Sequence, residues 1–256
     1  MKRVSHHGRG TAYRRSARTE AGPGLLCIHG SGGAAGVWKS QSRLADRTPV
    51  TAMDLSDHGE SGSLAAQAGY EALSGYADDA VAVAEETGAR VLCGNSLGAA
   101  VALTVALDRD LAIDGLVLTG AGARLPVLDD LLVWLDSDFD RAIEFLHGPD
   151  RLFHDPNEEL VGISEAAMRD TGRETTARDF RTCHEFDVRE RLDEIDVPML
   201  AVVGEHDKLT PPHYHEALAG SIPDSEVVTV DDAAHLAMLE QPGAFNDAVE
   251  SFLDRF

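Results

Sequence analysis

The sequence predicts an α/β fold, built on a mostly parallel, doubly wound sheet with one helical insertion. Two observations lead to this class. Short apolar runs alternate with longer segments whose apolar residues recur every three or four positions. Such alternation is typical of βαβ units, in which helices cover both faces of a parallel sheet. The chain has 256 residues, of which 43% are hydrophobic, so one domain of this kind can bury a core.

Six strands and four helices can be placed from these patterns. The predicted strands are Leu25–Ile28, Val50–Met53, Arg90–Cys93, Gly115–Leu118, Met199–Val203 and Glu226–Val230. The predicted helices are Tyr70–Thr87, Leu97–Leu107, Pro211–Ala219 and Pro242–Phe252. The basic stretch 1–20 predicts an antiparallel hairpin at the edge of the sheet.

One region, residues 123–187, breaks the alternation. It contains short helical patterns, such as Val127–Leu135 and Asp138–His147, with no convincing strand between them. We therefore predict a core formed by residues 1–122 and 188–256, with 123–187 as a helical cap inserted into it.

The net charge excludes two classes of partner. The chain carries 44 acidic against 22 basic side chains, a formal net charge of −22. Because Lys and Arg are what hold phosphate groups, we expect no binding to nucleic acid or to an anionic membrane.

The types of charged residue suggest the salt concentration in which the protein works. Only three lysines occur, Lys2, Lys39 and Lys208, and Arg supplies the other positive charges. A chain poor in Lys and rich in Asp is what we expect of a protein adapted to concentrated salt, where self-repulsion is screened. The alternative is an ordinary acidic cytosolic protein.

The cysteines and the first residues indicate the compartment. Cys27, Cys93 and Cys183 cannot all pair, and two of them lie in apolar strands, so we expect reduced thiols. The start, MKRVSHHGRG, has no apolar segment behind its basic residues. No window approaches the roughly 18 apolar residues of a membrane span. These features predict a cytoplasmic protein. They leave the oligomeric state open between a monomer and a homodimer.

The strongest local signal for chemistry is Gly94-Asn95-Ser96-Leu97-Gly98, between a predicted strand and a predicted helix. This Gly-x-Ser-x-Gly arrangement is a nucleophile elbow, a turn so sharp that side chains two residues to either side of the serine would collide. The turn lifts the Ser96 hydroxyl above the sheet edge, and the following helix places its positive end beneath it.

A glycine-rich loop lies upstream, where the first predicted strand runs into His29-Gly30-Ser31-Gly32-Gly33. The backbone N–H groups of Ser31 and Leu97 are candidates for an oxyanion hole. The loop lacks the Gly-Lys-Ser/Thr ending and the dinucleotide spacing of phosphate-binding loops.

Two further residues follow the last predicted strands. Asp207 lies in the loop after Met199–Val203, and His235 in the loop after Glu226–Val230. Residues beyond the carboxyl ends of parallel strands converge on one crevice. Each alone is an ordinary loop residue, but together with Ser96 they predict one site.

The chain resembles the α/β-hydrolase fold superfamily, in its capped serine esterase and haloperoxidase-like branch. The matching segments are His29–Gly33, Asp54–Gly62, Gly94–Gly98, Gly204–Pro211, and Ala234-His235 with Glu240-Gln241-Pro242. One departure is Asp57, where the family has glycine in a Gly-His-Gly-x-Ser core. Aspartate tolerates left-handed geometry better than most residues, so the turn can survive.

The resemblance implies a triad in which Ser96 attacks an acyl carbonyl, His235 shuttles the proton and Asp207 orients the imidazole. The implied enzyme is a carboxylic ester hydrolase with no cofactor and no metal. Relatives that open carbon–halogen bonds or epoxides use a carboxylate at the elbow, and Ser96 excludes that chemistry. A carbon–carbon hydrolase, a lactonase, a thioesterase and a cofactor-free perhydrolase share these motifs, and a non-catalytic small-molecule receptor is the alternative of another class.

Residues for substrate binding are less well marked. We expect an apolar pocket for a neutral ester, with Trp38, Trp134, Leu209 and Met238 in its wall, although each is as compatible with core packing. His213 and His215 stand two positions apart at a helix start and predict two surface histidines rather than a metal site. His206 neighbours Asp207 but comes too early in the chain order to be the base.

Overall fold

The computed structural model describes all 256 residues and contains one eight-stranded sheet. Its strands are β1 (Lys2–His6), β2 (Arg9–Ser16), β3 (Leu25–Ile28), β4 (Val50–Met53), β5 (Val91–Asn95), β6 (Gly115–Thr119), β7 (Met199–Gly204) and β8 (Ser225–Val230). They lie in the order β1-β2-β4-β3-β5-β6-β7-β8. The pairs β1/β2 and β2/β4 are antiparallel, and every other neighbouring pair is parallel. The mostly parallel sheet and the N-terminal edge hairpin are confirmed.

Nine helices accompany the sheet. They are α1 (Tyr70–Thr87), α2 (Leu97–Asp108), α3 (Asp129–Ser137), α4 (Phe139–Leu146), α5 (Glu158–Thr171), α6 (Arg173–Glu185), α7 (Pro212–Ala219), α8 (Ala237–Glu240) and α9 (Pro242–Leu253). Turns of 3₁₀ helix form Ala35–Asp46 and Leu192–Glu194. None of the helices has a stretch both long and apolar enough to traverse a lipid bilayer.

The sheet separates two hydrophobic clusters, as a doubly wound fold requires. Leu26 and Ile28 of β3 pack on the side of α1 and α2, whereas their neighbours Leu25 and Cys27 pack on the side of α9 and Ala35–Asp46. Successive side chains of a strand point to opposite faces, and here both faces are buried. This explains why the central strands read as continuous apolar runs.

The predicted strands and helices agree closely with the observed ones. β3, β4 and α1 have the predicted bounds, while β5 begins at Val91 and extends to Asn95. Helix α7 begins one residue after its predicted start, because Pro211 lies in the turn before it.

The segment between β6 and β7 is helical, as predicted. It holds α3 to α6 and contains no strand. Its two ends lie side by side, since the Val188 amide donates to the Ala123 carbonyl at 2.8 Å. The sequence patterns did not predict α5 and α6. Helix α6 packs against α1 and α2 and so joins the main body of the fold. The division into core and cap therefore stays a prediction.

Candidate active site

The elbow at Ser96 has the geometry its sequence predicts. Ser96 joins β5 to α2 with φ 55° and ψ −115°, a conformation that few non-glycine residues adopt. A Cβ atom on Gly94 would lie 2.2 Å from the Gly98 carbonyl oxygen, and one on Gly98 would lie 2.2 Å from the Ile28 carbonyl oxygen. Only glycine therefore fits at positions 94 and 98, two residues to either side of the serine.

Asp207 and His235 meet at the carboxyl ends of β7 and β8. His235 Nδ1 lies 2.9 Å from Asp207 Oδ2, and both side chains are almost fully buried. The other contacts of Asp207 fix its orientation. Its Oδ1 accepts hydrogen bonds from the amides of Leu209 (2.8 Å) and Thr210 (2.9 Å), and its Oδ2 accepts one from the Thr210 hydroxyl (2.7 Å).

These contacts decide the charge of Asp207. Burial by itself would raise the pKa of this carboxyl, but the interaction with His235 and the hydrogen bonds from Thr210 outweigh burial and hold the pKa below its ordinary value. Asp207 is therefore ionised at neutral pH and can accept a hydrogen bond from the Nδ1–H group of His235. That bond leaves Nε2 of His235 as the ring nitrogen free for a second partner.

Ser96 and His235 line the same cavity, but no hydrogen bond joins them. Gly120, at the end of β6, makes room for the imidazole: a Cβ there would lie 2.6 Å from His235 Cε1, and its φ is 56°. The sequence analysis missed this residue. Its position directly after a strand was the available signal.

The two candidate oxyanion donors flank Ser96. Ser31 lines the cavity, and Leu97 is the first residue of α2, where backbone N–H groups have no acceptor within the helix. The loop carrying Ser31 is anchored by His29, whose Nε2 accepts a hydrogen bond from the Leu55 amide at 3.0 Å. Burial lowers the pKa of His29 to about 4, so the ring is neutral at pH 7 and can accept this bond.

A buried ionisable cluster, which the sequence analysis did not find, supports the same loop from helix α6. Asp179 is fully buried and accepts hydrogen bonds from Tyr76 Oη (2.6 Å) and the Gly32 amide (3.3 Å), and its Oδ2 lies 2.9 Å from His58 Nε2. Burial opposes the charge on both partners. Their mutual attraction nevertheless raises the pKa of His58 and lowers that of Asp179. Asp179 and His58 thus form an ion pair that connects α6 to the segment after β4.

The cavity over Ser96 has a volume of about 510 Å³ and a largely apolar wall. Much of the wall comes from the segment 123–187. The large side chains from this segment are Leu125, Leu128, Leu131, Phe145, Leu152, Leu160, Ile163, Met168 and Phe180. The single charged residue in the lining is Lys208, and no carboxylate lines it.

Of the four predicted wall residues, Leu209 lines the cavity, and the other three do not. Trp38 is 1% exposed and packs against Phe245, with ring centroids 6.1 Å apart. Met238 is fully buried in the same cluster. Trp134 packs on Phe145 at 5.3 Å. Trp38 and Met238 thus belong to the core, whereas Trp134 is half-buried outside the cavity lining.

His215 also differs from its prediction. It is completely buried, and its Nε2 accepts a hydrogen bond from the Ala121 amide at 2.9 Å. Burial lowers its pKa to about 4. His213 is exposed, as predicted. Residues two positions apart in a helix lie on different faces, so His213 and His215 of α7 have different surroundings.

Fold and site together define a class of protein. Residues 25–248 match the model of the alpha/beta hydrolase family, and this match spans most of the chain. The chain belongs to the alpha/beta hydrolase family.

Individual relatives are esterases by name. A pimeloyl-(acyl-carrier protein) methyl ester esterase of Neisseria meningitidis serogroup A is 32% identical over 262 residues, covering 94% of this chain and 81% of the relative. A solved thermophilic esterase is 31% identical with a TM-score of 0.86, covering 99% of this chain and 97% of that one. An N-acyl homoserine lactone degrading enzyme has a TM-score of 0.85 over 98% of this chain and 100% of its own, but at 24% identity it shows the fold alone. The relatives support a hydrolase of the esterase type.

Proposed function

We propose that the protein is a serine hydrolase that cleaves a neutral carboxylic ester through an acyl-enzyme intermediate. The observation that carries the proposal is the meeting of three features in one apolar cavity. These are Ser96 on its strained turn, His235 bonded to an ionised Asp207, and Ser31 of the glycine-rich loop, whose backbone N–H is a candidate oxyanion donor.

The chemistry follows from the roles that these groups can take. Ser96 Oγ attacks the ester carbonyl while His235 Nε2 accepts the hydroxyl proton, and Asp207 stabilises the resulting imidazolium. The amides of Ser31 and Leu97 donate hydrogen bonds to the developing oxyanion, each worth about 3 kcal/mol in comparable sites. Collapse of the tetrahedral intermediate releases the alcohol, which takes the proton from His235. Water then hydrolyses the acyl-enzyme by the same steps in reverse.

The lining and the volume of the cavity favour a small, neutral substrate. With no carboxylate in its lining and Lys208 Nζ held 2.6 Å from Asp150 Oδ2, it offers an uncharged wall to the acyl chain. Its volume of about 510 Å³ suits a small molecule. The relative named as a methyl ester esterase favours an ester of a short alcohol. In this proposal residues 123–187 act as the cap, and the enzyme works in the cytoplasm without a cofactor.

The first prediction tests the nucleophile. Ser96→Ala removes the attacking oxygen, so turnover of short-chain p-nitrophenyl esters falls to background while the melting temperature changes little. Ser164→Ala is the matched control, because Ser164 lines the same cavity but takes no part in the mechanism. Turnover by Ser96→Ala at the wild-type rate would refute the proposal.

A fluorophosphonate probe separates the enzyme from a receptor of the same fold. The probe reacts covalently with an activated serine, so we expect labelling of the wild type and Ser164→Ala and none of Ser96→Ala. An unlabelled wild-type protein would favour a receptor, since its serine would lack activation.

A further inference from the structure

A cluster of metal-ligating side chains lies beside the candidate active site and plays no part in the proposed chemistry. Asp150 and His154 belong to the connection between α4 and α5, and His206 directly precedes Asp207 in the loop after β7. One donor atom from each of the three side chains lies within 4.8 Å of the others. The cluster therefore joins two segments far apart in sequence.

His154 already contacts both of the other side chains in the cluster. The rings of His154 and His206 are stacked, with centroids 3.6 Å apart and planes inclined by 16°. His154 Nδ1 lies 2.6 Å from Asp150 Oδ1. The three side chains are 22 to 34% exposed, so an ion can reach them from solvent and the donors can move the short distance needed to bind it.

The surrounding charge favours a cation. Glu205 Oε2 lies 3.6 Å from His206 Nε2, and Glu240 accepts a hydrogen bond from the His154 amide at 2.8 Å. The opposing charge is Lys208, whose ammonium group lies against the far oxygen of Asp150. Oδ1 of Asp150 remains directed toward the imidazole of His154.

We propose that Asp150, His154 and His206 form a binding site for a divalent transition metal, with Zn²⁺ as the preferred ion. Two imidazoles and one carboxylate form a donor set that suits zinc, with water completing a tetrahedral shell. Calcium and magnesium prefer shells made entirely of oxygen and are disfavoured by the two nitrogen donors.

The bound metal would link the connection between α4 and α5 to the loop that carries His206 and Asp207. The connection that carries Asp150 already bonds to both loops, since its carbonyl groups at 150, 151 and 152 accept hydrogen bonds from the amides of Lys208, His235 and Leu236 at 2.9 to 3.1 Å. A metal bound by both Asp150 and His206 adds a side-chain link to these backbone bonds. Binding to the folded state alone stabilises it by mass action.

The test is calorimetric titration of the tag-free protein with ZnCl₂. We expect one saturable site in the wild type and a loss of affinity of at least about tenfold in the double variant His154→Ala/His206→Ala, because each lost ligand removes a metal bond. His213→Ala is the matched control, since it removes an exposed histidine outside the cluster and leaves the affinity unchanged. His7→Ala controls for the adjacent pair His6 and His7, whose Nδ1 atoms are 3.1 Å apart.

Two further measurements make the outcome decisive. Co²⁺ in place of Zn²⁺ is expected to give the visible absorption of a tetrahedral complex in the wild type and to lose it in the double variant. Zn²⁺ is expected to raise the melting temperature of the wild type and of the controls His213→Ala and His7→Ala, but not that of the double variant. If the double variant does not fold, Asp150→Asn, which is nearly identical in shape, replaces it as the variant that lacks a metal ligand.

Equal affinity of wild type and ligand variants, or no saturable binding by the wild type, would overturn the proposal. Neither result depends on whether the protein hydrolyses an ester.

Discussion

His215 is a buried titratable group close to Asp207 and His235. Its ring lies among groups that include Asp207 and His235, and its neutral Nε2 holds the Ala121 amide at the end of β6. Protonation would destroy this bond and place a positive charge in the interior. The charge state of His215 therefore couples the stability of the site region to pH.

This coupling leads to the second prediction. The pKa of His215 is about 4 in the folded protein against an ordinary value of 6.5, so the unfolded chain binds more protons between these values. The contribution of neutral His215 to the free energy of unfolding is therefore complete above pH 6.5. It is lost as the pH falls toward 4, by up to about 1.4 kcal/mol per pH unit. In His215→Gln, whose amide oxygen can still accept the Ala121 bond, urea unfolding should give a shallower loss across this window. The control is His213→Gln, and a wild-type slope in His215→Gln would contradict the assignment.

The sequence was informative about residues wherever a backbone geometry dictated the residue type. Ser96 could be singled out because its turn demands glycine two residues to either side, and Asp207 and His235 because each follows a predicted strand. The wall of the cavity could not be predicted in this way. Trp38 and Met238 have the same apolar character as Leu209, and only the packed structure decides which of them faces a cavity.

At the scale of elements, helix α6 is the feature that links the helical segment to the site. It contributes Phe180 and Cys183 to the cavity wall and Asp179 to the buried ion pair. Through the Gly32 amide, Asp179 also holds the loop that carries Ser31. The position of α6 and the position of a candidate oxyanion donor therefore depend on one carboxylate.

The third prediction concerns this carboxylate. Asp179→Asn leaves His58 without a buried counter-charge, so we expect a loss of on the order of 3 kcal/mol in the free energy of unfolding. We also expect kcat to fall more than KM changes, since the Ser31 loop loses its support. Asp170→Asn, an exposed residue on α5, is the control. If Asp179→Asn unfolded with the same free energy as the wild type, the ion pair would contribute nothing to stability.

The elements themselves were largely predictable, because the apolar period of each segment matched its final structure. The helices α5 and α6 are the exception. Helix α6 has few large apolar residues and is held mainly by polar side chains such as Asp179 and Thr182. A helix stabilised by buried polar contacts leaves no hydrophobic period to read.

At the scale of the whole molecule, the negative charge lies outside the cavity. The chain carries a net charge of −22, yet no carboxylate lines the 510 Å³ cavity. The many carboxylates of the chain thus lie outside the lining of the cavity. An acidic surface repels itself in dilute buffer and is screened in concentrated salt.

The salt hypothesis gives the fourth prediction. The melting temperature should rise between about 0.1 M and 2 M KCl, because the Debye length falls from about 10 Å to 3 Å or less over this range. Potassium chloride is preferred to a sulfate, since sulfate strengthens apolar burial in any protein. Higher stability in dilute buffer than in molar KCl would reject adaptation to salt.

The elbow also has a consequence for how this protein can change over time. A serine held at φ 55° costs on the order of 1–3 kcal/mol that the rest of the fold must offset. Glycine at position 96 would relieve that cost and remove the proposed nucleophile in the same step. Selection for a more stable fold and selection for turnover therefore oppose each other at position 96. The stability that the rest of the fold spends on this turn is not available to offset other destabilising substitutions.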